Sequence, residues 1–259
     1  MTRTPSLLVM SLVAAAACSK PAEKPAAAAD STAVPAAAPT PPPPAGPQAI
    51  VTVLYKWPKS PAAFEKYYPT HLKIVGDGQA EIGFTKAELT KFTKTLDGKK
   101  PPFYRQAELY FPDTAAAKKG MATEAFKKVG DDFKNFATGG LVRLFAAETG
   151  DKSETACPAL VTVIYHAPKE PAAFESYYPT HLKIVGDGQA EIGFVRADLT
   201  KFEANLDGSA PAEYRQAELC FPSMDALQKG TKTPAFKKVG DDFKNFATGG
   251  LVGMIGEQK

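Results

Sequence analysis

Two histidines are the residues best suited to do chemistry in this chain. Three are present, and only His71 and His181 occupy matching positions in a sequence that repeats itself at an offset of 110. Imidazole exchanges a proton near neutral pH, so each suits a general acid or base in an apolar cavity. The alternative is a core histidine with a satisfied hydrogen bond. Tyr67 and Tyr68, with Tyr177 and Tyr178, lie one helical turn upstream. They could orient a ligand or simply pack. Asn135 and Asn245 could donate to a substrate oxygen or cap a loop. Tyr55, Tyr165, Gln106 and Gln216 fall on expected strands and are read as facing a barrel interior. His166 replaces Lys56 between the copies, so the two sites need not be equivalent.

Other chemistries lack their signatures. Gly76-x-Gly78 has neither the spacing nor the helix of a dinucleotide loop. No Cys/His grouping has zinc spacing, His71 has no second histidine at i+4, and no Gly-x-Ser-x-Gly elbow occurs. No metal is therefore expected. Lys plus Arg number 31 against 28 Asp plus Glu, a formal charge of +3. With acids and bases interleaved, this gives no electrostatic case for nucleic acid.

The elements that must hold these residues are legible within each copy. Residues 49–55 are short and β-branched, hence a strand. Ser60-Pro61 opens a helix, with Pro at the first turn where its missing N–H is harmless. Phe64, Tyr68, His71, Leu72 and Val75 share one face of it. Pro69 is expected to kink that helix or end it near Tyr68. A second strand falls within residues 85–94, Asp97-Gly98 marks a turn, and residues 104–111 form a third strand. Asp113 caps a helical region to about Phe133, broken near Gly120. Residues 135–140 form a loop and residues 141–147 a last strand.

The order is βαββαβ, the ferredoxin-like plan, in which helices cover one face of the sheet. The other face needs a partner, and the second copy supplies one. Residues 49–142 align with 159–252 without a gap, and 69 of those 94 positions are identical. The expected fold class is α+β: two ferredoxin-like repeats closing an intramolecular dimeric α+β barrel. The connection from Glu148 to Pro158 is long enough to cross between copies.

The start of the chain reads as an export signal over residues 1–18. Arg3 precedes an apolar stretch of eleven residues, 7–17, too short to span a bilayer as a helix. Ala15, Ala16 and Ala17 then lead to Cys18, which resembles a bacterial lipobox; ordinary cleavage that releases a soluble protein is the alternative. Residues 19–47 include nine Pro and ten Ala, so they form an extended tether rather than a core. At ~3.1 Å per residue it reaches about 90 Å. Domains follow at 48–148 and 158–256. The expected location is the cell envelope, with the membrane contacted through a lipid on Cys18. The two remaining cysteines, Cys157 and Cys220, suggest a disulfide in an exported chain. In the ferredoxin-like plan the start of the first strand lies beside the end of the third, which suits that pairing.

Three blocks carry a family resemblance. Phe64-Glu-Lys-Tyr-Tyr-Pro-Thr-His71-Leu, Tyr104-Arg-Gln-Ala-Glu-Leu-Tyr-Phe111 and Asp132-Phe-Lys-Asn135-Phe-Ala-Thr-Gly-Gly140 resemble the EthD domain, and all recur in the second copy. The resemblance implies a dimeric α+β barrel that binds a small, mostly apolar organic molecule. It also implies a loose oxidoreductase label with cofactor-independent redox or acid–base chemistry. The family's usual His-x-Pro is His71-Leu-Lys73 here. No cofactor is expected, haem on His71 being the alternative that related barrels offer. A non-catalytic binding or structural lipoprotein is the competing reading. One chain with an internal pseudo-dimer is expected to suffice.

Overall fold

The computed structural model describes residues 48–148 and 157–258. The expected signal segment with Cys18, the expected tether and the connection at 149–156 lie outside the described residues. The first copy runs β1 (Ala49–Lys56), α1 (Pro61–Asp77), α2 (Gln79–Ile82), β2 (Lys86–Thr95), β3 (Phe103–Phe111), α3 (Thr114–Met121), α4 (Glu124–Asp132) and β4 (Leu141–Glu148). The second repeats this as β5 (Ala159–His166), α5 (Pro171–Asp187), α6 (Gln189–Ile192), β6 (Arg196–Asn205), β7 (Glu213–Phe221), α7 (Met224–Gly230), α8 (Pro234–Asp242) and β8 (Leu251–Gln258).

All eight strands close one antiparallel barrel in the order β1-β3-β2-β8-β5-β7-β6-β4. The copies join through two ladders, β2 with β8 and β4 with β6, where Lys91 faces Glu257 and Ala147 faces Lys201. Closure leaves no unpaired edge. Each β2–β3 turn also reaches the other copy: the Leu96 N–H donates to the Gly253 carbonyl (2.9 Å), and that of Leu206 to Arg143 (3.0 Å).

Alternation along the strands divides the buried residues into two sets. Ala49, Val51, Val53 and Tyr55 face outward and pack under the helices. Thr52, Leu54, Gln106 and Glu108 face the lumen. That lumen is filled. Leu54, Phe92, Leu144, Ile164, Phe202 and Met254 pack in it. Polar pairs then bridge the copies: Gln106 Nε2 donates to Glu218 Oε1 and Gln216 Nε2 to Glu108 Oε1, each at 3.0 Å. Thr52 and Thr162 add hydroxyls to the same two carboxylates. Charge-assisted bonds in a dry interior are the strong ones, so these pairs fix the relative register of the copies.

Helix α1 corrects one expectation. It runs unbroken through Pro69 to Asp77. Pro69 lies on its exposed side, where the carbonyl it leaves unbonded can be solvated, while Phe64, Tyr68 and His71 anchor the other side in the core. Ser60 caps the start, accepting from the Ala63 N–H. The Cys157–Cys220 disulfide is present and ties the entrance of β5 to the end of β7, where Leu160 pairs with Cys220.

Candidate functional site

Helix α1 carries Tyr67, Tyr68 and His71 toward the end of α4, which delivers Asp132. The His71 Nδ1 lies 2.8 Å from Asp132 Oδ2, and its Nε2 lies 3.5 Å from the Tyr55 hydroxyl. An ionised carboxylate can only accept, so Nδ1 carries the hydrogen and the Nε2 lone pair faces Tyr55. The Tyr67 hydroxyl (2.7 Å) and Asn135 Nδ2 (2.8 Å) both donate to Asp132 Oδ1. The second copy repeats this: His181 to Asp242 at 2.8 Å, His181 to Tyr165 at 3.4 Å, and Tyr177 and Asn245 on Asp242.

Each histidine is 2% exposed. Burial pushes both imidazoles below their ordinary range, and the neighbouring carboxylate opposes that only in part. Burial alone would raise Asp132, but hydrogen bonds from Tyr67, Asn135 and His71 outweigh it and hold the carboxyl below its usual range. Asp242 is likewise lowered, with His181 the strongest of its donors. The result is a neutral imidazole whose Nε2 lone pair is aimed at the tyrosine hydroxyl by an ionised carboxylate. Burial raises the Tyr55 and Tyr165 phenols well above 10, so both stay protonated. The Tyr68 and Tyr178 phenols are pushed up to about 12 by the same cause. The Tyr178 hydroxyl is buried with no hydrogen-bond partner among the described residues.

An aromatic cluster sets these positions. Phe136 stacks on Tyr67 (5.6 Å between centroids) and contacts the His71 ring (4.6 Å), while Tyr55 meets Phe64 edge-on at 5.5 Å. The following Gly-Gly pair docks the loop. A Cβ at Gly139 would stand 1.9 Å from the Trp57 carbonyl, and Gly140 has φ of 86°. On the other side of α1, Glu65 accepts from Arg105 Nη2 (2.6 Å) and Tyr104 (2.5 Å) and pairs with Lys91. The Arg105 guanidinium lies 4.8 Å from the Tyr68 ring centroid, a cation–π contact.

The cavities lie between the helices and the outer face of the sheet. In the second copy one of about 820 Å³ is lined by His181, Tyr165, Tyr178 and a wall of apolar side chains including Val161, Val163 and Leu219. Leu96 and Asp97 of the first copy complete it. In the first copy the matching space, beside His71, Tyr55 and Tyr68, is about 260 Å³. The expected barrel cavity is thus relocated, because the lumen is packed. Tyr55 and Tyr165 face the helices rather than the interior, whereas Gln106 and Gln216 do face the lumen. Tyr67, Tyr177, Asn135 and Asn245 stand behind the aspartates, away from the cavity linings. Asp132 and Asp242 were absent from the sequence-based set. Their signal was present, since Asp132 opens the block that ends in Gly-Gly.

Haem on either histidine does not fit this arrangement. A metal on Nε2 at the ~2.1 Å of a metal–imidazole bond would run into the tyrosine hydroxyl that Nε2 faces. Among the described residues no group of three or more His, Cys, Asp or Glu could hold a metal ion.

The fold and site together define a tandem α+β barrel with a carboxylate–histidine–tyrosine relay beside an apolar cavity. The chain belongs to the EthD domain family, whose pattern matches residues 56–140 and 166–250. It is similar to an uncharacterised 11.0 kDa protein of the thcB–thcC intergenic region of Rhodococcus erythropolis, 34% identical over 99 residues, which are 38% of this chain and 92% of that protein. In fold it is similar to an anthrone oxidase-like protein, with a TM-score of 0.60 and 14% identity over 82% of this chain and 92% of the other. A monooxygenase-like protein of Fusobacterium nucleatum has a TM-score of 0.54 and 13% identity, also over 82% and 92%.

Proposed function

We propose that the chain binds a small, mostly apolar organic molecule in the second-copy cavity and moves a proton between that molecule and His181. The observation that carries this is the His181 Nε2 lone pair on the wall of an apolar cavity, with Nδ1 held by Asp242 at 2.8 Å. A weakly acidic C–H or O–H of the ligand gives its proton to the Tyr165 hydroxyl as that hydroxyl passes its own to His181 Nε2, and the electron pair stays on the ligand as an enolate or phenolate. Asp242 then stabilises the imidazolium, and the Tyr178 hydroxyl is a donor for the new oxyanion. Family membership supports small-molecule chemistry. The oxidase-like and monooxygenase-like fold neighbours are compatible with an oxidative outcome, dioxygen being the electron acceptor.

The test compares the parent with His181→Ala and the His71→Ala, His181→Ala double variant. Loss of turnover on enolisable or phenolic aromatics, with folding retained, is expected for both. A folded double variant that turns over and binds as the parent does would overturn the proposal, and binding without turnover in the parent would favour the non-catalytic reading.

We also propose that the protein is held at the envelope by a lipid on Cys18. The Cys157–Cys220 disulfide supports an oxidising compartment. Incorporation of an alkyne-labelled fatty acid, lost in Cys18→Ser, is expected; native mass spectrometry would show whether one chain is the working unit.

A further inference from the structure

We infer that ligand binding is confined to the second copy because Met121 closes the cavity of the first, making position 121/231 the residue that decides which half of the barrel is open. This rests on the reading of the cavity as the ligand site. The two cavities differ in volume, about 820 Å³ against about 260 Å³, although the copies share most of their residues. Comparison of the second-copy lining with its equivalents leaves three differences: Val195 for Thr85, Arg196 for Lys86, and Thr231 for Met121. Val and Thr have nearly the same volume. Arg196 is longer than Lys86, the wrong direction to open the second copy, and its Nε bonds Asp198 at 2.8 Å. Of these three, only Met121 in place of Thr231 gives the first copy the larger side chain.

Packing agrees. Met121 packs against the core cluster that contains Phe84, Leu109 and Val129, and those three also line the reduced cavity. Methionine is unbranched and polarisable and suits filling such a gap. The apolar threshold of the open cavity is consistent with a hydrophobic ligand entering there: Val195 lines it and is 51% exposed, where the first copy has Thr85. The relay around His71 is therefore complete in geometry but has little space to serve.

The experiment is a fluorescence titration of the purified chain with Nile red, a neutral apolar dye, read for stoichiometry. One dye per chain is expected for the parent. Met121→Thr should raise this to two, and Thr231→Met should weaken binding by about tenfold or more, as overpacking does. Should Thr231→Met fail to fold, Thr231→Leu carries the same test. Two dyes or none on the parent, one dye on folded Met121→Thr, or parent-like binding by the folded Thr231 variant would each overturn the inference. Turnover of the parent and of His181→Ala is followed separately from the dye titrations. Failure of the proton-transfer proposal would appear as turnover retained in folded His181→Ala, with these stoichiometries unchanged.

Discussion

The His181 Nδ1 and Asp242 Oδ2 stand 2.8 Å apart, and the same distance separates His71 from Asp132. The partners in each pair are 61 positions apart in sequence, yet the two copies hold them identically. Asp242 raises the His181 pKa against a larger lowering by burial. Replacing it with Asn removes that support. In an NMR titration His181 is expected to titrate below 6.5 in the parent and lower still in Asp242→Asn. Any proton-transfer activity should fall by roughly 10²–10⁴. A rise in the His181 pKa would show that the aspartate does not act on it.

The acid limb of stability follows from groups whose folded pKa is depressed. Glu65 and Glu175 are each held at about 2 against an ordinary 4.5, by the Arg, Tyr and Lys donors that outweigh their partial burial. Their contribution is fully present above about 4.5 and is lost as pH falls toward about 2. The neutral histidines act in the same direction, because the unfolded chain takes up protons near 6.5 before the fold does. Glu65→Gln with Glu175→Gln should destabilise at pH 7 by about 1 kcal/mol or less per latch after solvent screening. It should also flatten the loss of stability below pH 4.5. Urea midpoints across pH 2–7 measure this, and an unchanged acid slope would sink the assignment.

The disulfide closes a loop with a sequence separation of 63 residues. The chain-entropy estimate for such a loop is about 4 kcal/mol, with measured values commonly 2–4. Cys157→Ala with Cys220→Ala should therefore lower the urea midpoint markedly while leaving the barrel folded. Thiol counting under denaturing, non-reducing conditions should find neither cysteine reactive.

The lumen and the cavity are separate compartments, so they should respond separately. Gln216→Ala removes a donor from the buried Glu108 carboxylate, which still accepts from Thr52 and Tyr110. A cost of about 1–3 kcal/mol is expected. Nile red affinity should stay at the parent value. A large loss of dye binding in the folded variant would place the ligand in the lumen instead.

Much of the fold was legible because it rests on local signals. The repeat, the strand at residues 49–55, the Ser60-Pro61 helix start and the Asp113 cap are all readable over a few residues, and each is present in the structure. The full length of α1 was not, because a proline's effect depends on whether it faces solvent or core. His71 was visible from its type and its repetition. Asp132 was not, because nothing local distinguishes a helix-ending aspartate that meets a histidine 61 residues away from one that meets water. The side of the sheet carrying the open space was also hidden, since alternation marks two faces without saying which one is filled.

Closure of the barrel by strands of one polypeptide has an evolutionary consequence. In a dimer of identical subunits every substitution appears at both sites, so neither can be relaxed without the other. Fusion of the copies removes that constraint. One half can drift toward a filled, purely architectural role, while its β2–β3 turn still lends Leu96 to the lining of the open cavity in the other. Selection can then act on a single pocket while the partner copy is preserved for its shape.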